Sequence, residues 1–221
     1  MKFYQKLDGG VHVSAREYDI AADTAIKEGQ VVKLSSGLVV AAAVGETSAI
    51  LGFAAENHSG VADALDPRAN GKKILIIDDP MTVMQCKAPE ITAASGTATT
   101  VVAAEGQLAA FGANDLTGGY VQLLSKAANS TNTDAIGQTR RITGFTSASS
   151  TLAVESGGAA AEGDVYAIYP PVGFAKGNLN ADRTALVLTA TANIALKVIG
   201  SDRQRGKIML AAGKHVFAVN S

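Results

Sequence analysis

Residues 30–42, QVVKLSSGLVVAA, decide the fold class. Two apolar, valine-rich runs flank Ser35-Ser36-Gly37, a spacing that reads as strand, tight turn, strand. The same period of two extends outward on both sides. It recurs at 49–54 (AILGFA), 73–78 (KILIID) and 81–86 (MTVMQC), then at 99–102, 120–124, 164–169, 185–191, 194–199, 207–210 and 215–219. Residues 74–77 are apolar at every position, which predicts a central strand covered on both faces. The best helical candidate, 103–111, is only about two turns long. Short strands joined by glycine-rich turns point to barrels or sandwiches, so the expected fold is all-β.

A change of composition near Pro89 divides the chain. From Glu90 to Pro171 the text is rich in Ser, Thr, Ala and Gly, and Pro170-Pro171 closes that section before more apolar, strand-like runs follow. The expected organisation is an N-terminal arm (1–17), a small β-barrel built from 18–89 and completed by 172–221, and an inserted second β domain at 90–171. Phe3, Tyr4 and Tyr18 are three of eleven aromatic residues, and they stand beside Gly9-Gly10 in a segment with little strand pattern. Large amphipathic rings in such an arm are expected to anchor it on a partner.

Composition narrows the function classes. Nineteen Lys+Arg balance twenty Asp+Glu, so no global field draws in nucleic acid or an anionic membrane, and neither partner is expected. Charged residues make up only 18% of the chain, and a weakly charged, near-neutral surface favours association. Cys86 is the single cysteine, which excludes an intrachain disulfide; in its alternating run it reads as a small core residue. The opening MKFYQKLDGG has no continuous apolar stretch, so no secretion leader is read there and synthesis in a cytoplasm is expected. The longest apolar run, 38–44, is far too short to span a bilayer.

No catalytic signature emerges. The nucleophile elbow, the P-loop and the dinucleotide fingerprint are all missing. His12, His58 and His215 lack metal-ligand spacing, so no metal, cofactor or catalytic residue is assigned and the chain is read as a non-enzyme. Asp78-Asp79-Pro80 reads as a turn fixed by proline, and Glu56-Asn57-His58 with Asp63 and Asp66 as a solvated loop. Two basic clusters remain: Arg140-Arg141 in GQTRRITGF, and Arg203, Arg205 and Lys207 in SDRQRGK. Neighbours on a strand face opposite sides, so Arg140 belongs with Ile142, Leu152 and Val154 at the rim of the inner face, and Arg141 faces outward. Neither cluster has the interleaved aromatics of single-strand nucleic-acid binders. Arg203 and Arg205 are expected as rim contacts to a partner.

Two stretches carry a family resemblance. Residues 25–56, AIKEGQVVKLSSGLVVAAAVGETSAILGFAAE, resemble the opening of the small β-barrel decoration (cement) proteins of tailed-bacteriophage capsids, through Ile26, Gly29, Val31 and Val32, then Gly37 to Val39, Gly45-Glu46, and Ile50 to Ala54. Residues 98–169 resemble a β module of phage structural proteins, through Thr99 to Val102, Asn114 to Val121, Gly137 to Phe145, and Ala161 to Tyr166. The resemblance covers about half of the chain. It implies a virion structural protein that binds the outer surface of the major capsid protein's shell and stabilises it. It also implies self-association, most commonly as a homotrimer at threefold positions. Because the second module also occurs in tail proteins, the alternative is a tail or head-fibre module binding host-surface glycan. With no Trp, five Tyr and six Phe, the chain has few aromatic platforms for sugars.

Overall fold

The computed structural model describes residues 1–6, 14–60, 73–108, 111–189 and 193–217. The chain is nearly all β. Among the described residues the only helical piece is a 3-10 turn at Ser147–Ser149.

The first part contributes β1 (Lys2–Lys6), β2 (Arg16–Asp19), β3 (Val31–Ser35), β4 (Leu38–Ala41), β5 (Gly52–Ala54), β6 (Lys73–Ile77) and β7 (Thr82–Lys87). The hairpin read from residues 30–42 is β3–β4, with Ser35 opposite Leu38. Its two turn residues, Ser36 and Gly37, have φ of 51° and 83°. Two positive values in succession are those of a type I′ turn, whose twist matches the strands it joins. Five strands form an antiparallel sheet in the order β2-β6-β5-β3-β4. The sheet curls until its edges meet through an Ile20–Val39 bridge, around a small core of Ile26, Val32, Leu51, Ala54, Ile74 and Ile76. As expected, β6 is internal to the sheet.

The middle section supplies β8 (Glu90–Thr97), β9 (Thr100–Ala103), β10 (Tyr120–Ser125), β11 (Thr139–Thr146), β12 (Thr151–Val154) and β13 (Val165–Tyr169). These six close into an antiparallel barrel in the order β10-β11-β12-β9-β8-β13. Alternation fills the interior with Ile91, Val101, Val121, Leu123, Ile142, Leu152, Val154, Tyr166 and Ile168. The remaining strands are β14 (Asn178–Leu179), β15 (Leu186–Val187), β16 (Leu196–Asp202) and β17 (Lys207–Ala212). β17 pairs with β7, completing a four-stranded sheet, β1-β7-β17-β16, from three distant parts of the chain. The barrel is therefore spliced between two strands of one body. A single buried cluster runs from Val121, Ile142 and Ile168 in the barrel to Met84, Leu196 and Ile208 in that sheet.

Several expectations are corrected. The closed barrel lies in the inserted section; 18–89 instead divide between the curled five-stranded sheet and the four-stranded one. The five-stranded sheet stays open because its edge strands β2 and β4 share no ladder and their ends meet only through the isolated Ile20–Val39 bridge. The helix candidate 103–111 begins as the end of β9 and continues in turns through Leu108; residues 109–110 lie outside the described residues. Leu108 and Phe111 are buried in the main core, with the Phe111 ring 5.8 Å from that of Phe174. The arm is no free arm where it is described: β1 pairs with β7 and β2 with β6. An exposed sheet edge satisfies its backbone groups by recruiting any extended segment within reach. Of 185–191 only Leu186–Val187 is a strand, and 190–191 lie outside the described residues; of 215–219, His215 makes an isolated bridge with Ile50 and 218–219 lie outside them.

Candidate functional site

The barrel joins the body at one end, through 88–90 and 169–171. Its other end is built by three loops: the β8–β9 turn (97–99), the long β10–β11 connection (126–138) and the β12–β13 connection (155–164). This free end holds the largest buried polar assembly among the described residues, and Arg140 is at its centre.

Arg140 pairs with Val121 across the β10–β11 ladder and so points into the barrel, as strand parity requires. It is not at the rim. Its side chain and that of Asp134 are each only 4% exposed, with Nη2 and Oδ2 3.0 Å apart. The angle at Nη2 is unsuited to a hydrogen bond, so the contact is an ion pair, while Nη1 donates to the Ala98 carbonyl at 3.3 Å. The Gly158 amide donates to Asp134 Oδ1 at 2.6 Å, and the Gly157 amide to Ala98 at 2.8 Å. One arginine and one aspartate thus tie all three loops together. A methyl group on Gly158 would lie 2.6 Å from the amide nitrogens of Thr133 and Asp134, so only glycine permits the two longer loops to meet.

A second layer sits beside this pair. Asn132 donates from Nδ2 to Asp164 Oδ2 (3.0 Å) and to the Tyr166 hydroxyl (2.7 Å). Asp164 also accepts from the amides of Ala127 and Ala161 and from the Ser130 hydroxyl. Burial alone would raise its carboxyl pKa; the hydrogen bonds, Asn132's first, outweigh this and hold it below the ordinary range. Burial pushes the Tyr166 hydroxyl up. These groups satisfy one another inside the barrel. The same three loops expose Ala98, Thr99, Thr131, Thr133, Ala135 and Ala159, the charged Lys126, Glu155 and Glu162, and Ile136, which is 65% exposed. Ile136 is the second residue of a turn closed by Gln138 N–H to Ala135 O, with Gly137 at φ 89° as a type II turn requires. The Gln122 side chain and the Leu123 carbonyl pin Gly137 from below, at 2.9 and 2.7 Å.

The other predicted contact residues lie elsewhere and do not converge. Phe3 is half-buried against the main core; the Tyr4 side chain lies outside what the structure describes. Tyr18 packs on the five-stranded sheet's core and donates its hydroxyl to Asp78 Oδ2 at 2.5 Å, an internal bond rather than a partner contact. Burial, and then the Asp78 carboxylate, push its pKa up to about 12. Arg203 is turned onto its own barrel, 4.0 Å above the Tyr120 ring. Arg205 remains exposed, 3.7 Å from Asp202. Arg141 faces outward as expected.

Among the described residues no three His, Cys, Asp or Glu side chains group as metal ligands. His58 bridges to Ile26 and His215 to Ile50, with no further His, Cys, Asp or Glu grouped as metal ligands around either, and His12 lies outside the described residues. Asp63 and Asp66 also lie outside them. Asp134, Asn132, Asp164 and Gly158 were not singled out from sequence. Their Asn, Asp and Gly composition signals loops, but the partners that give them a role lie on other loops. The chain matches no protein-family model, and no curated protein and no solved structure matches it.

Proposed function

We propose that this chain is a virion structural protein that decorates the outer surface of a major capsid shell, acting without catalysis and alongside its own copies as a trimer. The observation that carries the reading is where aliphatic side chains are left exposed. Leu34, Leu38 and Val44 stand out along β3, β4 and the turn that follows. All three fall inside residues 25–56, the stretch that resembles capsid decoration proteins. Exposed aliphatics on a stiff hairpin cost little entropy to bury against a second protein. The low charge of the chain keeps the desolvation cost of a broad contact small. Arg205, exposed on the β16–β17 turn, is available as a rim contact of modest energy.

The test is co-sedimentation of the purified protein with emptied shells of the phage that encodes it, together with antibody labelling of virions in negative stain. Binding by the native protein and loss of binding in a Leu34→Asp/Leu38→Asp variant with an unchanged circular-dichroism spectrum are expected. Unlabelled virions, or a protein that stays in the supernatant, refute the reading.

A further inference from the structure

We infer that residues 213–217 form a strap held closed by the neutral ring of His215, and that acid releases the strap by charging that ring. This stands apart from shell binding and from self-association.

The strap has one anchor. After β17 the Gly213 and Lys214 amides donate to the Ala195 carbonyl at 2.7 and 3.0 Å. A parallel bridge then joins His215 to Ile50. In it the Ile50 amide donates to the Lys214 carbonyl at 3.1 Å, and the Val216 amide to the Ile50 carbonyl at 3.0 Å. Gly213, Lys214, Val216 and Phe217 are all exposed; His215 alone is buried, at 6%. Backbone bonds to solvent-facing residues open easily, so the burial of a single imidazole holds the segment down.

The geometry requires that imidazole to be neutral. Its Nδ1 accepts the Phe217 amide at 3.1 Å, so the one ring proton is on Nε2. Nε2 is itself buried and has no hydrogen-bond partner among the described residues. A second proton has only Nδ1 to bind, where it meets the Phe217 N–H head-on. Protonation therefore breaks that bond and leaves a cation in a buried site.

The surrounding charges do not rescue the cation. The carboxylates acting on the ring are Asp78 and Asp79, just past β6. Asp78 accepts from the Tyr18 hydroxyl and lies 3.6 Å from Arg16 Nε, and Asp79 accepts from the Met81 amide. On the strap itself, the Lys214 amine donates to the Thr47 carbonyl at 2.9 Å. Burial lowers the ring's pKa, and the Leu51 carbonyl and the two carboxylates oppose this without reversing it.

Once the strap opens, the ring charges as it does in an unfolded chain. Closure is thus fully stabilised above about pH 6.5 and lost as pH falls through the lower value of the closed ring. Over that window the open population rises about tenfold per pH unit. Opening frees both backbone groups of Ile50, in the connection between β4 and β5. It also withdraws Phe217, which walls a cleft with Ser14, Arg16, Asp78, Asp79 and Pro80. Acid opens that cleft on one side.

Nuclear magnetic resonance on the full chain between pH 8 and 5 tests this. The ring nitrogen shifts of His215 should report the Nε2–H tautomer and a pKa below the ordinary value of about 6.5. Exchange of the Val216 and Phe217 amides, corrected for its intrinsic pH dependence, should speed up at least about tenfold by pH 5. The Met84 and Leu210 amides, in the β7–β17 ladder, should not follow. His215→Asn keeps an acceptor near the position of Nδ1 and cannot titrate, so its 216–217 amides should stay equally protected throughout. Three results overturn the inference: a ring with the Nδ1–H tautomer or an ordinary pKa, protection at 216–217 that does not change with pH, or an acid loss that persists in His215→Asn. The first two are read on the native chain and decide the matter even where the variant does not fold.

Discussion

Replacing Asp134 with alanine tests whether the barrel's free end is held as described. The substitution leaves the Arg140 guanidinium, 4% exposed, in the barrel without its counter-ion, and the Gly158 amide without an acceptor. Breaking a buried pair by removing one partner costs about 3–5 kcal/mol, most of it from the stranded charge. Total stability for a domain is about 5–15 kcal/mol, so the loss is a large fraction of it. At roughly 2–4 °C per kcal/mol for a chain of this size, Tm should fall by about 10 °C. Thermal and urea unfolding followed by circular dichroism measure this. The exposed neighbour Arg141 is the internal standard: Arg141→Ala should stay within about 0.5 kcal/mol of native. Changing both members, Asp134→Leu with Arg140→Met, should recover part of the loss because no charge is left buried. An Asp134→Ala protein as stable as Arg141→Ala would refute the account, since it would mean that water reaches Arg140.

Gly158→Ala should destabilise by about 2 kcal/mol or more, because the added methyl overlaps backbone of the facing loop, which cannot give way as a side-chain tip can. The same unfolding assay reads it. Glu46 is buried, which by itself would raise its pKa; Lys33, 2.7 Å away, and the Ala43 and Ser48 amides reverse this and bring it from 4.5 down to about 2. A depressed carboxyl stabilises fully above its unfolded pKa and loses the effect as pH falls through the folded one. Stability should therefore decline between about pH 4.5 and 2, by about 1–2 kcal/mol after allowing for water around Lys33. Glu46→Gln should flatten that part of the profile. Tyr18 should ionise near pH 12, and the buried Tyr166 and Tyr169 are raised as well. In a spectrophotometric titration Tyr18→Phe should remove one phenol from the late part of the curve and leave the early part unchanged.

Local features were legible in the chain, and the reason is the range over which they act. The β3–β4 hairpin follows from valine alternation and from Ser36-Gly37, whose positive φ values only a few residue types accept readily. Parity along β11 separated Arg140 from Arg141, and the structure places them on opposite faces accordingly. Features that depend on distant partners were not legible. Lys2–Lys6 and Arg16–Asp19 are strands because β7 and β6 offer them unpaired edges, not because KFYQK or REYD alternates strongly. Arg203 is directed by the Tyr120 ring, far away in sequence. Above all, alternation assigns a side chain to a face but does not say how deep it lies. Arg140 is at a rim or in a core depending on whether loops 126–138 and 155–164 close over it. Closure was decided by contacts between loops, where Gly158 meets Asp134 and Asn132 meets Asp164, and those contacts exist only once the barrel has brought its strands into register.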